Sequence, residues 1–189
     1  MKKLETEAEK QKREQRKKTV IGLILGLILL SSTVAFAFLG FERNSNENVQ
    51  TKVSVNGLDF YSNGEIWQTQ LSGYNFYFKY LPNETNYLTI NKTLQDYANK
   101  PLYIVSDNTE SSQEIIGNIG SFIERYSPAC LKGAECKDNS PIKDCSDNVI
   151  IIQEKNTTRV SQDNGCVFIV SDNVLKETDA FLYRILGIQ

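Results

Sequence analysis

From Thr19 to Phe41 the chain runs 23 residues without a charged side chain, and no later stretch repeats the pattern. As a helix rising about 1.5 Å per residue this run is about 34 Å long, enough to cross a hydrocarbon core of about 30 Å with some tilt. It divides the 189 residues into parts that face different surroundings. Residues 1–18 carry eight basic and four acidic side chains, whereas residues 19–189 carry thirteen basic and nineteen acidic ones. Lys10, Lys12, Arg13, Arg16, Lys17 and Lys18 crowd one flank of the run. The positive-inside rule therefore puts the amino terminus in the cytoplasm and the chain from Glu42 onward outside a cell membrane crossed once.

The competing reading is a cleaved signal peptide, with Val20–Val34 as its apolar core and Ala35-Phe36-Ala37 as a small-x-small cleavage site. A retained anchor is preferred because the apolar run continues through Phe38, Leu39 and Phe41 and because the leader is long and contains acid groups. Both readings export the rest of the chain. The expected organisation is a basic tail over 1–18, a transmembrane helix over 19–41, a polar linker over 42–51 and an extracytoplasmic domain over 52–189. The tail has only Leu4 and Ala8 as apolar side chains, so it is expected to be a solvated, partly helical flank of a helix whose partner is the lipid bilayer; attraction of its basic residues to anionic headgroups is the less favoured alternative.

Export agrees with two further features. Asn83, Asn91 and Asn156 each begin an N-x-T glycosylation sequon. Cys130, Cys136, Cys145 and Cys166 are even in number and follow the apolar run, which suits two disulfides in an oxidising compartment. Their spacing lacks both the close pairs of a tetrathiolate zinc site and a redox C-x-x-C. Of three connectivities, Cys130–Cys136 with Cys145–Cys166 is preferred, since the second bridge joins the approach to one buried strand to the start of another. The bridges would also hold the aperiodic loop 128–147, which is long for a compact domain.

Within the exported part, Asn56-Gly57, Asn63-Gly64 and Ser72-Gly73 mark turns of an antiparallel meander with strands near 52–55, 58–62, 65–71 and 74–81. Tyr74, Phe76, Phe78 and Tyr80 alternate along the last strand, giving it a core face; an exposed sugar-stacking platform is the less favoured alternative. A short helix is expected over Asn91–Asn99. Apolar strands follow at Leu102–Val105, Val149–Ile152 and Cys166–Val170. A capping box at Ser111–Glu114 opens a helix carrying Ile115, Ile119, Phe122 and Tyr126 up to Pro128, and a closing helix covers Leu175–Leu186. The expected fold class is α+β: a meander and a β-α-β-β-α part forming one mixed sheet covered by helices.

The chain has no His, which removes imidazole metal sites and His-based nucleophile systems. No Gly-rich phosphate loop, dinucleotide fingerprint or nucleophile elbow appears, so no cofactor is expected. The acidic balance of the exported part argues against nucleic acid as a partner. One pentapeptide occurs twice, IVSDN at 104–108 and 169–173, each time between an apolar strand and a helix. If the two strands are parallel in one sheet, Asp107 and Asp172 emerge at the same edge and could hold a hard cation. The simpler reading is that Ser, Asp and Asn cap the following helices.

A basic tail, one apolar span, a meander ending in YLPNET, the run CKDNSPIKDC and a closing FLYRILGIQ together resemble a group of uncharacterised archaeal single-span membrane proteins over residues 53–189. The resemblance implies an archaeal cell-surface setting and no activity. The leading expectation is a membrane-anchored binding or scaffolding module for an envelope or membrane protein, with no catalytic or metal-binding residue assigned. The alternatives are a metal-assisted envelope enzyme using Asp107 and Asp172, or an accessory subunit whose spanning helix packs through Gly22 and Gly26.

Overall fold

The computed structural model describes residues 51–136 and 139–189. The expected tail, spanning helix and nearly all of the linker lie outside these residues. Among the described residues no helix is long and apolar enough to cross a membrane.

The first four strands, β1 (Thr51–Val55), β2 (Leu58–Ser62), β3 (Trp67–Leu71) and β4 (Tyr74–Phe78), pair in sequence order as an antiparallel sheet. Asn56 and Gly57, and Ser72 and Gly73, all have positive φ, as two-residue type I′ hairpins require. Asn63-Gly64 behaves differently. Only Gly64 is left-handed there, and the connection runs four residues to Ile66, so this Asn-Gly does not make the expected tight turn. On β4, Phe76 and Phe78 face inward and Tyr77 outward; Tyr74 is half exposed with its ring edge against Phe122.

After a 3-10 turn (Pro82–Glu84), the Asn91–Asn99 helix proves to be one turn, α1 (Leu94–Tyr97), closed by Asp96 accepting from the Thr93 N–H. The chain then builds a second sheet from β5 (Pro101–Ser106), β6 (Arg125–Pro128), β9 (Val149–Glu154), β10 (Arg159–Asp163) and β11 (Cys166–Ser171), in the order β10-β11-β9-β5-β6. All pairings are parallel except β10 with β11. The meander is therefore a separate sheet rather than part of one mixed sheet. A pair of two-residue strands, β7 (Cys130–Leu131) and β8 (Ile142–Lys143), lies in the cysteine-rich loop.

Helices α2 (Thr109–Ile119) and α3 (Val174–Leu186) follow β5 and β11. The helix expected to reach Tyr126 stops at Ile119, and Tyr126 lies in β6 instead. Leu102, Ile104, Ile150, Ile152, Val167 and Ile169 share one core cluster with the helices and the meander. The alternate residues Tyr103, Val149, Ile151 and Cys166 form a second cluster with Ala129, Leu131 and Cys145 of the cysteine-rich loop. Strands buried on both faces read as continuous apolar runs, which is why VIII and CVFIV carry no alternation. Helix α3 is apolar on two sides for the same reason: Phe181 meets Tyr97, while Tyr183 packs on Phe60 and Phe78 of the meander.

Polar side chains of the helices also meet the backbone of β4 and its continuation. Asn118 accepts from the Tyr77 N–H at 2.8 Å and donates to the Tyr77 carbonyl at 2.7 Å. Asp179, fully buried, accepts from the N–H groups of Lys79 and Tyr80 through Oδ2. Its Oδ1 and the Oε1 of Glu114 are both buried without a hydrogen-bond partner, and the two carboxyls shift one another's titration, so a proton shared between them would satisfy both. Burial, reinforced by the Glu114 charge, pushes the Asp179 carboxyl up to about 9; burial raises Glu114 as well.

A carboxyl raised on folding contributes stability that is complete below its unfolded value, about 4, and is lost as pH rises through the folded value, about 9 here. Asp179→Asn keeps an acceptor for β4 and supplies a permanent donor to Glu114. Denaturant unfolding from pH 4 to pH 9 is expected to show the variant gaining on wild type as pH rises; a constant difference would contradict the shared proton.

Candidate functional site

Because β5, β9 and β11 run parallel, the two IVSDN turns emerge at one edge of the sheet, with β9 between them. They are built alike. The Ser106 hydroxyl accepts from the Asn108 N–H at 2.9 Å, and the Ser171 hydroxyl accepts from the Asn173 N–H at 3.0 Å. Asn108 caps α2 by accepting from the Ser111 N–H at 2.8 Å, and Asn173 caps α3 by accepting from the Lys176 N–H at 3.2 Å. The N-cap oxygen serves the third helical N–H, so the caps are the asparagines. The helix expected to open at Ser111 starts two residues earlier, at Thr109. Each cap amide also reaches outward, Asn108 to Glu154 at 2.7 Å and Asn173 to the Tyr80 hydroxyl at 3.1 Å.

Asp107 and Asp172 are exposed and cap nothing. They share an edge but line different clefts. Asp107 borders one of about 380 Å³ that includes the Cys130–Cys136 bridge and Glu135. Asp172 borders one of about 610 Å³ with Asn86, Arg159, Lys176 and Glu177 around Leu88 and Val160. Among the described residues no group of three or more Cys, Asp or Glu side chains gathers in a metal-holding cluster.

The larger cleft has the richer chemistry. Glu177 is 3% exposed, and its Oε1 accepts from the Asn86 side-chain amide at 2.6 Å. Burial raises its pKa while that hydrogen bond opposes the rise. Asp172 and Glu177 bring negative charge, and Arg159 and Lys176 positive charge. The ion pairs among the described residues lie elsewhere, at Lys52–Asp59, Arg125–Glu124, Lys132–Asp144 and Lys143–Asp147. Arg159, Lys176 and Glu177 carry no sequence signal of their own: Arg159 lies in β10, which the apolar runs do not mark, and Lys176 and Glu177 fall in the first turn of the closing helix, where charged residues are ordinary.

The chain matches no family model, no curated protein and no solved structure.

Cys130 pairs with Cys136 and Cys145 with Cys166, at Cα separations of 5.8 and 4.8 Å. The second bridge runs from the loop to a buried position at the start of β11. Gly165, just before it, is obligatory: a Cβ there would lie 2.0 Å from the Asp147 carbonyl oxygen. The loop is pinned further by the Lys143 ammonium, 4.1 Å from the Tyr103 ring centroid. Arg125 and Lys143 hold the Tyr103 phenol below its usual pKa. Asn83, Asn91 and Asn156 are all exposed.

Chain-entropy arithmetic gives about 2 kcal/mol for the shorter disulfide loop and about 3 kcal/mol for the longer. Replacing Cys145 and Cys166 with Ala is expected to cost more than replacing Cys130 and Cys136, measured by denaturant unfolding. For the turns, Asn173→Ala should cost about 0.5–2 kcal/mol, and Asp172→Ala within about 0.5 kcal/mol of nothing. The reverse order would return the capping role to the aspartate.

Proposed function

We propose that the chain is a single-pass, membrane-tethered protein whose exported, disulfide-stabilised domain is a binding module at the cell envelope, taking its partner in the cleft beside Asp172. The observation that carries this reading is that cleft: charges of both signs line it with no ion pair between them among the described residues, together with the apolar Leu88 and Val160. Such a set presents a polar ligand or partner surface with several oriented contacts, within the usual pocket size of about 300–1,000 Å³. The tether rests on Thr19–Phe41 and its basic flank, and the envelope setting on the sequons, the disulfides and the resemblance to archaeal single-span proteins.

The metal-assisted enzyme has in its favour that Asp107 and Asp172 share a sheet edge, but each faces its own cleft. A chelator is expected to leave the melting temperature of wild type unchanged; a drop restored by Mg²⁺ or Ca²⁺ would support the enzyme instead.

Capture from native membranes tests the module directly. Wild type should retain a stoichiometric partner that a variant carrying Arg159→Glu and Lys176→Glu loses, whereas an identical set of captured proteins would overturn the reading. Protease added outside intact cells should digest the domain and spare the basic tail, and protection of the Cys130–Cys166 region would overturn the topology.

A further inference from the structure

The larger cleft continues a feature of the sheet edge. Among the described residues strand β10 is an outermost strand: it pairs with β11 on one side and with no strand on the other. Alternate N–H and C=O groups of such a strand point away from the sheet and offer a template for another chain. What lies across from them is the segment Asn86–Asn91, which has no regular secondary structure. Among the described residues no backbone hydrogen bond joins this segment to β10; the link is the Asn91 N–H to the Gln162 side chain at 3.0 Å.

The segment is held from the other side, by helix α3. Asn86 donates to Glu177, and the Arg184 Nε donates to the Ile90 carbonyl at 2.9 Å. Between segment and strand lie two clefts, both touching Val160. One is the charged cleft of about 610 Å³. The other, about 340 Å³, is lined by Thr89, Ile90 and Asn91 on one side and Val160, Ser161 and Gln162 on the other. The edge strand is thus flanked from Arg159 to Gln162 by space with a second wall.

We propose that this groove binds an extended peptide, which adds to β10 as a further strand and places charged groups of its own against Arg159, Lys176, Asp172 and Glu177. The proposal rests on the binding-module reading and names its partner chemistry. Main-chain hydrogen bonds to β10 supply sequence-independent affinity, and the charged end sets register. A neutral occupant leaves all four charges unanswered and a uniformly charged one leaves two; a peptide with both signs, or with a free terminus beside an opposite side chain, answers both kinds.

The experiment uses the purified full chain and a random nonapeptide library. The tightest selected peptide is resynthesised with one N-methyl group at each position in turn, and the set is measured against wild type, Arg159→Ala, Glu177→Gln and, as a control, Tyr61→Ala on the outer meander face. Asn91→Gln protein is run alongside, so that a glycan at this sequon does not obstruct the groove. Methylation at alternate positions should weaken binding roughly tenfold or more, with little effect between them. Arg159→Ala and Glu177→Gln should each weaken it by a similar factor. In Glu177→Gln the new side-chain carbonyl still accepts from Asn86, and an unchanged melting temperature certifies the fold of that variant.

Failure to select a binder, methylation effects without the two-residue period, or wild-type affinity in both charge variants would overturn the added strand. If the charge-reversed protein nevertheless loses its partner in native membranes, the module stands and its occupant is not a strand. If capture is also unaffected, the module reading falls with it.

Discussion

The exposed edge of β4 is closed by side chains instead of by another strand, and the arrangement of the layers depends on that closure. Asn118 on α2 and Asp179 on α3 hydrogen-bond Tyr77, Lys79 and Tyr80, and Tyr183 donates to the Tyr80 carbonyl. A backbone N–H taken from water without a partner costs on the order of 1–3 kcal/mol, so these three part-buried bonds favour one depth and one rotation for both helices. The same side chains that satisfy the strand therefore orient the helices, and the helices in turn present Leu182, Phe181 and Ile115 to the core. A carboxyl rather than an amide at position 179 also sets it beside Glu114, whose charge adds to burial in raising the Asp179 pKa.

Much of this was legible in the sequence wherever one local signal spoke for one element. The Asn56-Gly57 and Ser72-Gly73 turns, the apolar runs of β5, β9 and β11, and the two strand-to-helix turns all follow from backbone preference or burial on both faces. The disulfide pairing followed from which strands the cysteines bordered. What failed was competition between signals. Phe122 and Tyr126 continue the helical spacing past Gly120, yet a helix of that length would leave the outer edge of β5 uncovered; Arg125–Pro128 pairs there instead. Strand β10 is short and polar and hid in plain composition, although Asn164-Gly165 between it and β11 is the same residue pair that marked the first turn, here with only Asn164 at positive φ.

The repeated pentapeptide shows how little a local motif decides about a site. Both copies make the same turn, with the same serine and asparagine bonds, and both leave an aspartate exposed. The difference comes from what the rest of the chain puts beside them. The first copy meets the cysteine-rich loop and a disulfide; the second meets an edge strand and a helix bearing Lys176 and a buried Glu177. No reading of five residues could separate these environments, because the second is assembled from segments more than 80 residues apart in the chain, Asn86 and Asp172 among them.

The Cys145–Cys166 bridge encloses β9 and β10 in a covalent ring, with the central strand of the mixed sheet inside it. Tension applied between the two ends of the chain would pass from Cys145 across the sulfurs to Cys166 and on into α3, leaving residues 146–165 outside the force path. Whatever the ends are attached to, the strand nearest the charged cleft is the part that pulling on the chain termini loads least.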